Sequence, residues 1–362
     1  MVNKINQYKP DYAIHPGEIL GETLEARGIS SKDLAKRIDI AEETLSKIIN
    51  GKAPVTPETA IRLENVLGID ADIWNNLDSN YQLFQVRQKQ NRSFQENIDW
   101  AKLFPLKELK KHNIIDNTSD DSVIVKQLFN YFGVSSIHTW SELYESYAAS
   151  FRKSVAFEID DKAVAAWLRL SEIIGYTIET NNFNKRVFEQ KLTKIRSLTL
   201  EEPNVFTDTL KALCAEAGVA LVFVSEFPKT RISGATRWLS PKKAMIALTL
   251  RYKTDDQFWF TFFHEAAHII KHGKNRVFID TEDGESDKME READEFARDM
   301  LVPAKKYCTF VSRKQFFKND IIKFSDEVGI APGIVVGRLQ HDGYIQYNWH
   351  NDLKRKFKFD KK

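Results

Sequence analysis

Between residues 13 and 85 the apolar positions fall in short clusters at helical spacing, punctuated by Gly, Pro, Ser and Asp. Pro16 suits the first turn of a helix, and Gly28 suits its end, where a positive φ is often required. Ser30 or Ser31 can cap the next helix, whose inner face is Leu34, Ala35 and Ile38. After a turn around Asp39-Ile40 comes a third helix, with Leu45, Ile48 and Ile49 inward and Gly51 at its end. Thr56 and Pro57 open a fourth helix through Leu67, closed by Gly68, and Ile73 and Trp74 begin a fifth. The polar run 85–93 reads as a helix end entering a linker. From about 95 to 200 the pattern is helical and aromatic-rich (Trp100, Phe104, Phe129, Phe132, Trp140, Trp167). From about 205 the texture becomes α+β. The β-branched run 220–224 after Gly218 predicts a strand, and the segments 232–238 and 244–250 flank Leu239-Ser-Pro-Lys-Lys243 as a hairpin. A long helix, a polar loop and a further helix follow.

The first region therefore has what a helix-turn-helix requires: two short helices, a tight turn and a buttressing helix. The second helix of the pair presents Glu42, Glu43, Thr44, Ser46 and Lys47 outward. The pattern Pro16-Gly17-Glu18-Ile19-Leu20, Leu34-Ala35, Thr44-Leu45-Ser46, Asn50-Gly51-Lys52, Thr56-Pro57-Glu58-Thr59-Ala60, Arg62-Leu63 and Trp74 resembles the XRE-type helix-turn-helix of HigA-like antitoxins. The resemblance implies operator DNA as a partner, a repressor role and a homodimer. Ser31, Lys32, Thr44, Ser46, Lys47 and Lys52 are the expected contacts to phosphates or bases.

The strongest chemical signal is Phe262-Phe263-His264-Glu265-Ala266-Ala267-His268. His264 and His268 are one helical turn apart and share a face. Two imidazoles so placed can bind one zinc ion, with Glu265 as general base. A catalytic zinc needs a third protein ligand and an open position. The helix 288–303 offers Glu290, with Asp294 one turn later beside the apolar stripe Met289, Ala293, Phe296, Ala297, Met300 and Leu301. Glu292 competes, but it points roughly 160° away from both. His272 reads as a C-terminal cap at the end of the first helix.

This arrangement is similar to that of gluzincins, and the chain resembles the ImmA/IrrE family of zinc metallopeptidases. The matching residues are Ser233-Gly234-Ala235, Phe258-Trp259-Phe260-Thr261 leading into His264-Glu265, Glu290-x-x-Ala293-x-x-Phe296-Ala297, and Leu301-Val302-Pro303. The resemblance implies Glu290 as third ligand and Asp294 as acceptor from His264, which fixes its tautomer. It also implies zinc as cofactor and hydrolysis of a partner protein, a repressor or a toxin-system component. A second reading remains open: a repressor or antitoxin whose peptidase-like domain senses a metal or ligand without turnover. Tyr252, Arg237, His341 and Tyr347 are candidates for the oxyanion donor. The 244–250 strand is expected to pair with an extended substrate.

Composition then narrows the classes. The chain has 362 residues, a net charge of +2 and only two cysteines, Cys214 and Cys308, which excludes a disulfide framework and a four-thiolate zinc module. No apolar run approaches the roughly 18 residues of a membrane span. With no secretory leader in MVNKINQYKPDY, a cytoplasmic location and no membrane partner are expected. Residues 1–90 hold 11 Lys and Arg against 13 Asp and Glu, a net charge of −2, so DNA affinity has to be site-specific or weak. The basic, aromatic end 353–362 reads as a frayed solvated tail. The fold expected is multidomain: an all-α helix-turn-helix domain (1–90), a helical connector (91–200) and an α+β gluzincin-like zinc peptidase domain (201–362).

Overall fold

The computed structural model describes residues 12–151, 160–249, 254–273, 278–281 and 288–357. The chain divides into two compact units, Met1–Asp99 with Asp120–Val125, and Trp100–Ser119 with Lys126–Lys362.

The first unit is built on helices α1 (Pro16–Arg27), α2 (Ser31–Arg37), α3 (Glu42–Ile49), α4 (Pro57–Leu67) and α5 (Ala71–Glu96). Gly28 and Gly68 adopt the left-handed conformation at the ends of α1 and α4. Ser30, not Ser31, caps α2, accepting from the Asp33 amide at 3.1 Å. Leu20, Leu24, Leu34, Leu45, Ile48, Leu63 and Trp74 close a common core. The α2–α3 turn is held from outside it: the Arg62 guanidinium donates to the carbonyls of Ile38 and Asp39 at 2.9 and 2.6 Å. Helix α5 does not end near residue 85 as its polar texture suggests; it runs to Glu96. The segment lacks Gly and Pro and is rich in Gln, Arg and Lys, whose helix propensity is high even without a buried face.

In the second unit, α6 (Ile98–Lys102) and α8 (Asp121–Phe132), both begun in the first, gather the aromatic residues with α7 (Leu106–Lys111) and α9 (Ile137–Phe151). Trp140 meets Phe104 and Phe132 edge-on, with ring centroids 5.3 and 5.8 Å apart. Helices α10 (Asp161–Thr177), α11 (Lys185–Ser197) and α12 (Pro203–Glu216) lead into a sheet. Its strands are β1 (Val219–Phe223), β2 (Ile232–Ser240), β3 (Lys243–Leu248) and β4 (Phe278–Thr281), in the order β1-β3-β2-β4. Only the β1–β3 pair is parallel.

Successive side chains of a strand face opposite sides. Ala244, Ile246 and Leu248 therefore join the large core with α13 (Asp255–Lys271), while Met245 packs on α10. Gly175 permits that packing, since a Cβ there would lie 2.8 Å from Met245 Sδ. Helices α14 (Lys288–Leu301), α15 (Ala304–Val311), α16 (Lys318–Val328) and α17 (Pro332–His341) complete the unit. Because β3 is hydrogen-bonded on both sides, it cannot pair with an extended substrate, contrary to the sequence reading.

The start of the C-terminal segment is not frayed either. Phe357 is 1% exposed and packs against Phe206 and Phe258. Lys354 Nζ lies 2.7 Å from Asp256 Oδ2, and the Arg355 amide donates to Asp255 Oδ1 at 3.1 Å. Two buried acids in the first turn of α13 are thus matched by two bases about 100 residues later. Residues 358–362 lie outside the described residues.

Burial, reinforced by the neighbouring Asp256 charge, pushes the Asp255 carboxyl up to about 6 despite Arg355. The folded chain therefore holds this proton more tightly than the unfolded chain, and stability falls as pH rises from about 4 to about 6. Asp255→Asn removes that loss. Relative to wild type, the variant is expected to gain on the order of 3 kcal/mol between pH 3.5 and 7, read by denaturant unfolding. A pH-independent difference would contradict this assignment.

Candidate metal centre and nucleic-acid interface

Helix α13 carries the histidines through the interior: every residue from Thr261 to Ile270 is buried. Phe258, Trp259, Phe262, Phe263, Ala266 and Ile269 supply its apolar surroundings, and the i,i+4 spacing brings His264 edge-on to His268 with ring centroids 4.8 Å apart. Helix α14 crosses it and presents its acids. His264 Nε2 lies 3.0 Å from Glu290 Oε2 and 3.0 Å from His268 Nε2, and His268 Nε2 lies 3.4 Å from the same Glu290 oxygen. These three atoms form a triangle whose sides compare with the edge of about 3.3 Å expected of a tetrahedron with metal–ligand bonds near 2.0–2.1 Å. The donor set, two imidazole nitrogens and a carboxylate, is the one zinc favours, so the residues present fit the ion.

The electrostatics agree. Burial pushes the His268 imidazole down, which keeps it neutral with a lone pair to give. Burial opposes ionisation of Glu290, but the imidazoles of His264 and His268 that face it outweigh that and hold the carboxyl well below the usual range. Behind the ligands, His264 Nδ1 lies 2.9 Å from Asp294 Oδ1.

Glu265 is fully buried against β2. The Thr236 hydroxyl lies 2.6 Å from its Oε2 and 3.0 Å from its main-chain oxygen. A Cβ on Gly234 would come within 2.7 Å of its Oε1. Sequence reasoning picked out Gly234 only through the family pattern and missed Thr236, because nothing local links a β2 hydroxyl to a helix 29 residues later. The sign of it was the strand's alternation, which sets Gly234, Thr236 and Trp238 on one face.

The same alternation excludes one oxyanion candidate. Arg237 faces the other side of the sheet, where it is ion-paired with the buried Glu172 of α10, itself 2.9 Å from Arg169. His341 and Tyr347 are exposed near the end of α17; Gly337 of that helix abuts Asp256, two turns before His264. Tyr252 lies outside the described residues. Glu292, the competing ligand, sits instead 3.4 Å from His272 Nε2.

In the first unit, Ser31, Lys32, Thr44, Ser46, Lys47 and Lys52 are all exposed. Thr44, Ser46 and Lys47 lie on α3, the helix that would read DNA. Its N-terminus has no side-chain cap, since Ala41 occupies that position, and Glu42 and Glu43 fill its first turn. Acids there complement the helix dipole, which explains their presence without any role in base reading. They also engage the bases: Lys47 Nζ lies 2.7 Å from Glu43 and Lys32 Nζ 3.9 Å from Glu42.

No helix among the described residues is long and apolar enough to cross a membrane.

The family model for a helix-turn-helix matches residues 20–74, and that for the IrrE N-terminal-like domain, a peptidase family, matches residues 215–339. The HTH-type transcriptional regulator YddM of Escherichia coli (strain K12) is 38% identical over 68 residues, 19% of this chain and 72% of the relative. Virulence-associated protein I of Dichelobacter nodosus is 38% identical over 77 residues, 21% of this chain and 71% of its own. Antitoxin HigA-1 of Vibrio cholerae is 34% identical over 87 residues, 24% of this chain and 78% of its own. A solved HigA-family addiction module antidote protein from Coxiella burnetii is 33% identical, covers 23% of this chain and 91% of its own, and has a TM-score of 0.22. By the family models and the sequence relatives the chain belongs, through its N-terminal unit, to the XRE-type helix-turn-helix regulators that include the HigA antitoxins, and it carries an IrrE N-terminal-like domain of the peptidase kind behind it.

Proposed function

We propose that this chain is a DNA-binding regulator whose second unit is a zinc-dependent endopeptidase acting on a partner regulatory protein. The observation that carries the reading is the convergence of His264, His268 and Glu290 on one point, with Glu265 next to His264 on the same helix, in a chain that also bears a helix-turn-helix. His264 and His268 would hold the ion through their Nε2 atoms and Glu290 through Oε2. When bound, zinc supplies a Lewis acid for a peptide carbonyl and lowers the pKa of water.

The chain's own groups do the rest. Glu265 takes the proton from the attacking water as the new C–O bond forms, then passes it to the leaving amine as the C–N bond breaks. Thr236 fixes one oxygen of that carboxylate. Asp294 holds His264 in the tautomer that leaves Nε2 free to bind. Residues 1–90 serve as the DNA-binding domain, with operator DNA as ligand and a homodimer as the binding species. The experiment that tests the reading sets the zinc-loaded chain beside its Glu265→Gln variant against candidate partner proteins and watches for new termini.

One observation favours a second reading, a metal-responsive regulator without turnover: Glu265 is 0% exposed and already accepts the Thr236 hydrogen bond. The same comparison separates the two.

The DNA-binding half has its own test. Lys47→Ala is expected to weaken binding about equally on all sequences and to reduce the salt dependence by about one counterion, measured by titration of labelled operator at several salt concentrations. The Lys47–Glu43 pair is exposed and worth only about 0.3–0.5 kcal/mol, so it does not withhold the lysine from a phosphate. Unchanged binding would remove α3 from the interface.

A further inference from the structure

Two further residues reach the metal ligands from behind. His268 Nδ1, the nitrogen that faces away from Glu290, lies 2.8 Å from His272 Nδ1. His272 is itself almost wholly buried, with its side chain 4% exposed, and its Nε2 lies 3.4 Å from Glu292 Oε2. Glu292 is steadied in turn by Lys271, whose Nζ donates to its main-chain oxygen at 3.3 Å, and by Lys288, 3.9 Å from its Oε1. The sequence alone suggests a helix cap for His272 and a rival ligand role for Glu292; the structure places them together.

We propose that His272 and Glu292 form a positioning pair for His268, fixing it in the tautomer whose Nε2 can bind the metal. The inference rests on the zinc-site reading above. It follows from counting protons. A neutral imidazole carries one N–H, so only one proton can lie between the two Nδ1 atoms. If it belongs to His268, then His268 Nε2 is a bare lone pair aimed at the metal position. His272 then carries its own proton on Nε2, 3.4 Å from the Glu292 carboxylate, close enough for charge attraction although the pair lacks hydrogen-bond geometry. In the reverse arrangement His268 Nε2 is protonated and useless as a ligand, and His272 turns a lone pair toward an anion. The negative charge of Glu292 selects the first arrangement. Glu292 thus does through His272 what Asp294 does directly for His264. Acceptors of this kind orient ligand imidazoles and raise their basicity, and their loss typically weakens metal binding 10–100-fold.

The test is zinc affinity of the full chain, by competition with a chromogenic chelator, together with the visible spectrum of the cobalt-substituted protein. His272→Leu is expected to bind zinc 10–100-fold more weakly than wild type and to alter the cobalt spectrum. His272→Asn places an amide oxygen near the lost Nδ1 and is expected to recover most of the affinity. His272→Leu binding as tightly as wild type overturns the proposal, and so does equal weakening by Leu and Asn, which would make His272 a packing residue only. Should His272→Leu fail to fold by circular dichroism, Glu292→Gln carries the test: weaker zinc binding supports the pair, and unchanged binding overturns it. His264→Ala separates the two levels of the argument. If wild type binds no zinc, or binds it no better than His264→Ala, the metal-centre reading falls and this one with it. If His264→Ala abolishes binding while His272→Leu does not weaken it, only the positioning pair is lost.

Discussion

The Glu265→Gln variant is expected to keep its fold and its zinc while peptide hydrolysis falls by about 10²–10⁴-fold, the usual contribution of a positioned general base. Gln is close to isosteric with Glu, so the packing against Gly234 and the hydrogen bond from Thr236 to the Oε2 position both survive. What disappears is the carboxylate's capacity to accept a proton, the property on which the attack on the scissile carbonyl depends. Glu265 does not belong to the three-atom cluster of His264, His268 and Glu290, so metal content should be unaffected. Zinc per chain by elemental analysis and new peptide termini by mass spectrometry, measured on the same preparations, decide the matter. If zinc-loaded wild type produces no termini that the variant lacks, across peptide libraries and the proteins made alongside it, the peptidase reading yields to the metal-responsive regulator.

The second large effect concerns the DNA-binding unit. Gly17→Ala should destabilise it severely, by about 3 kcal/mol or more, a large share of the 5–15 kcal/mol that typical domains possess. Gly17 lies in the first turn of α1 where the end of α3 crosses. A Cβ there would sit 2.0 Å from the Ile48 carbonyl oxygen, 2.8 Å from that of Ile49 and 2.9 Å from His15 Nδ1. Two of those atoms are backbone, so no rotamer change relieves the overlap, and α3 has to move as a body. Gly28→Ala is the control. It is strained by its φ of +62°, but a Cβ there meets nothing within 4 Å, so its cost is the strain of a left-handed residue, about 1 kcal/mol. Thermal unfolding and operator binding of both variants make the comparison. Equal, small effects would mean that α1 and α3 are not held this closely.

The positions of these two glycines show how far the sequence could be read. That Gly28, Gly51 and Gly68 punctuate helices followed from the apolar spacing around them, because a cap is a local event. That Gly17 is a crossing point did not, because α3 lies about 30 residues away along the chain. The same division runs through the candidate site. His264 and His268 were legible as one face of one helix, and Glu290 and Asp294 as another, since an i,i+4 spacing fixes direction within about a turn. The polar stretch 85–93 misled, because helix propensity without an apolar stripe looks like a linker until the helix is seen to continue to Glu96. Hydropathy also misled at the C-terminus. Phe357 is buried and Lys354 and Arg355 are spent on Asp256 and Asp255, a pairing set by chain return and not by local charge.

By itself, then, the sequence determined the local chemistry of this protein: short capped helices with a tight turn in one region, and two imidazoles with a carboxylate beside them on one helix in another. These follow from interactions within a few residues, which hydrogen-bond geometry and helical periodicity dictate. The tertiary structure alone decided which side chains meet across elements. It put β3 in the middle of the sheet, turned Arg237 to the face away from Glu265, set Thr236 against that carboxylate, and brought Glu292 to His272 instead of to the metal position. Those outcomes depend on strand order and on the crossing of α13 with α14, which are settled by burial of the whole apolar surface at once; periodicity within one element shows which residues share a face, not what that face meets.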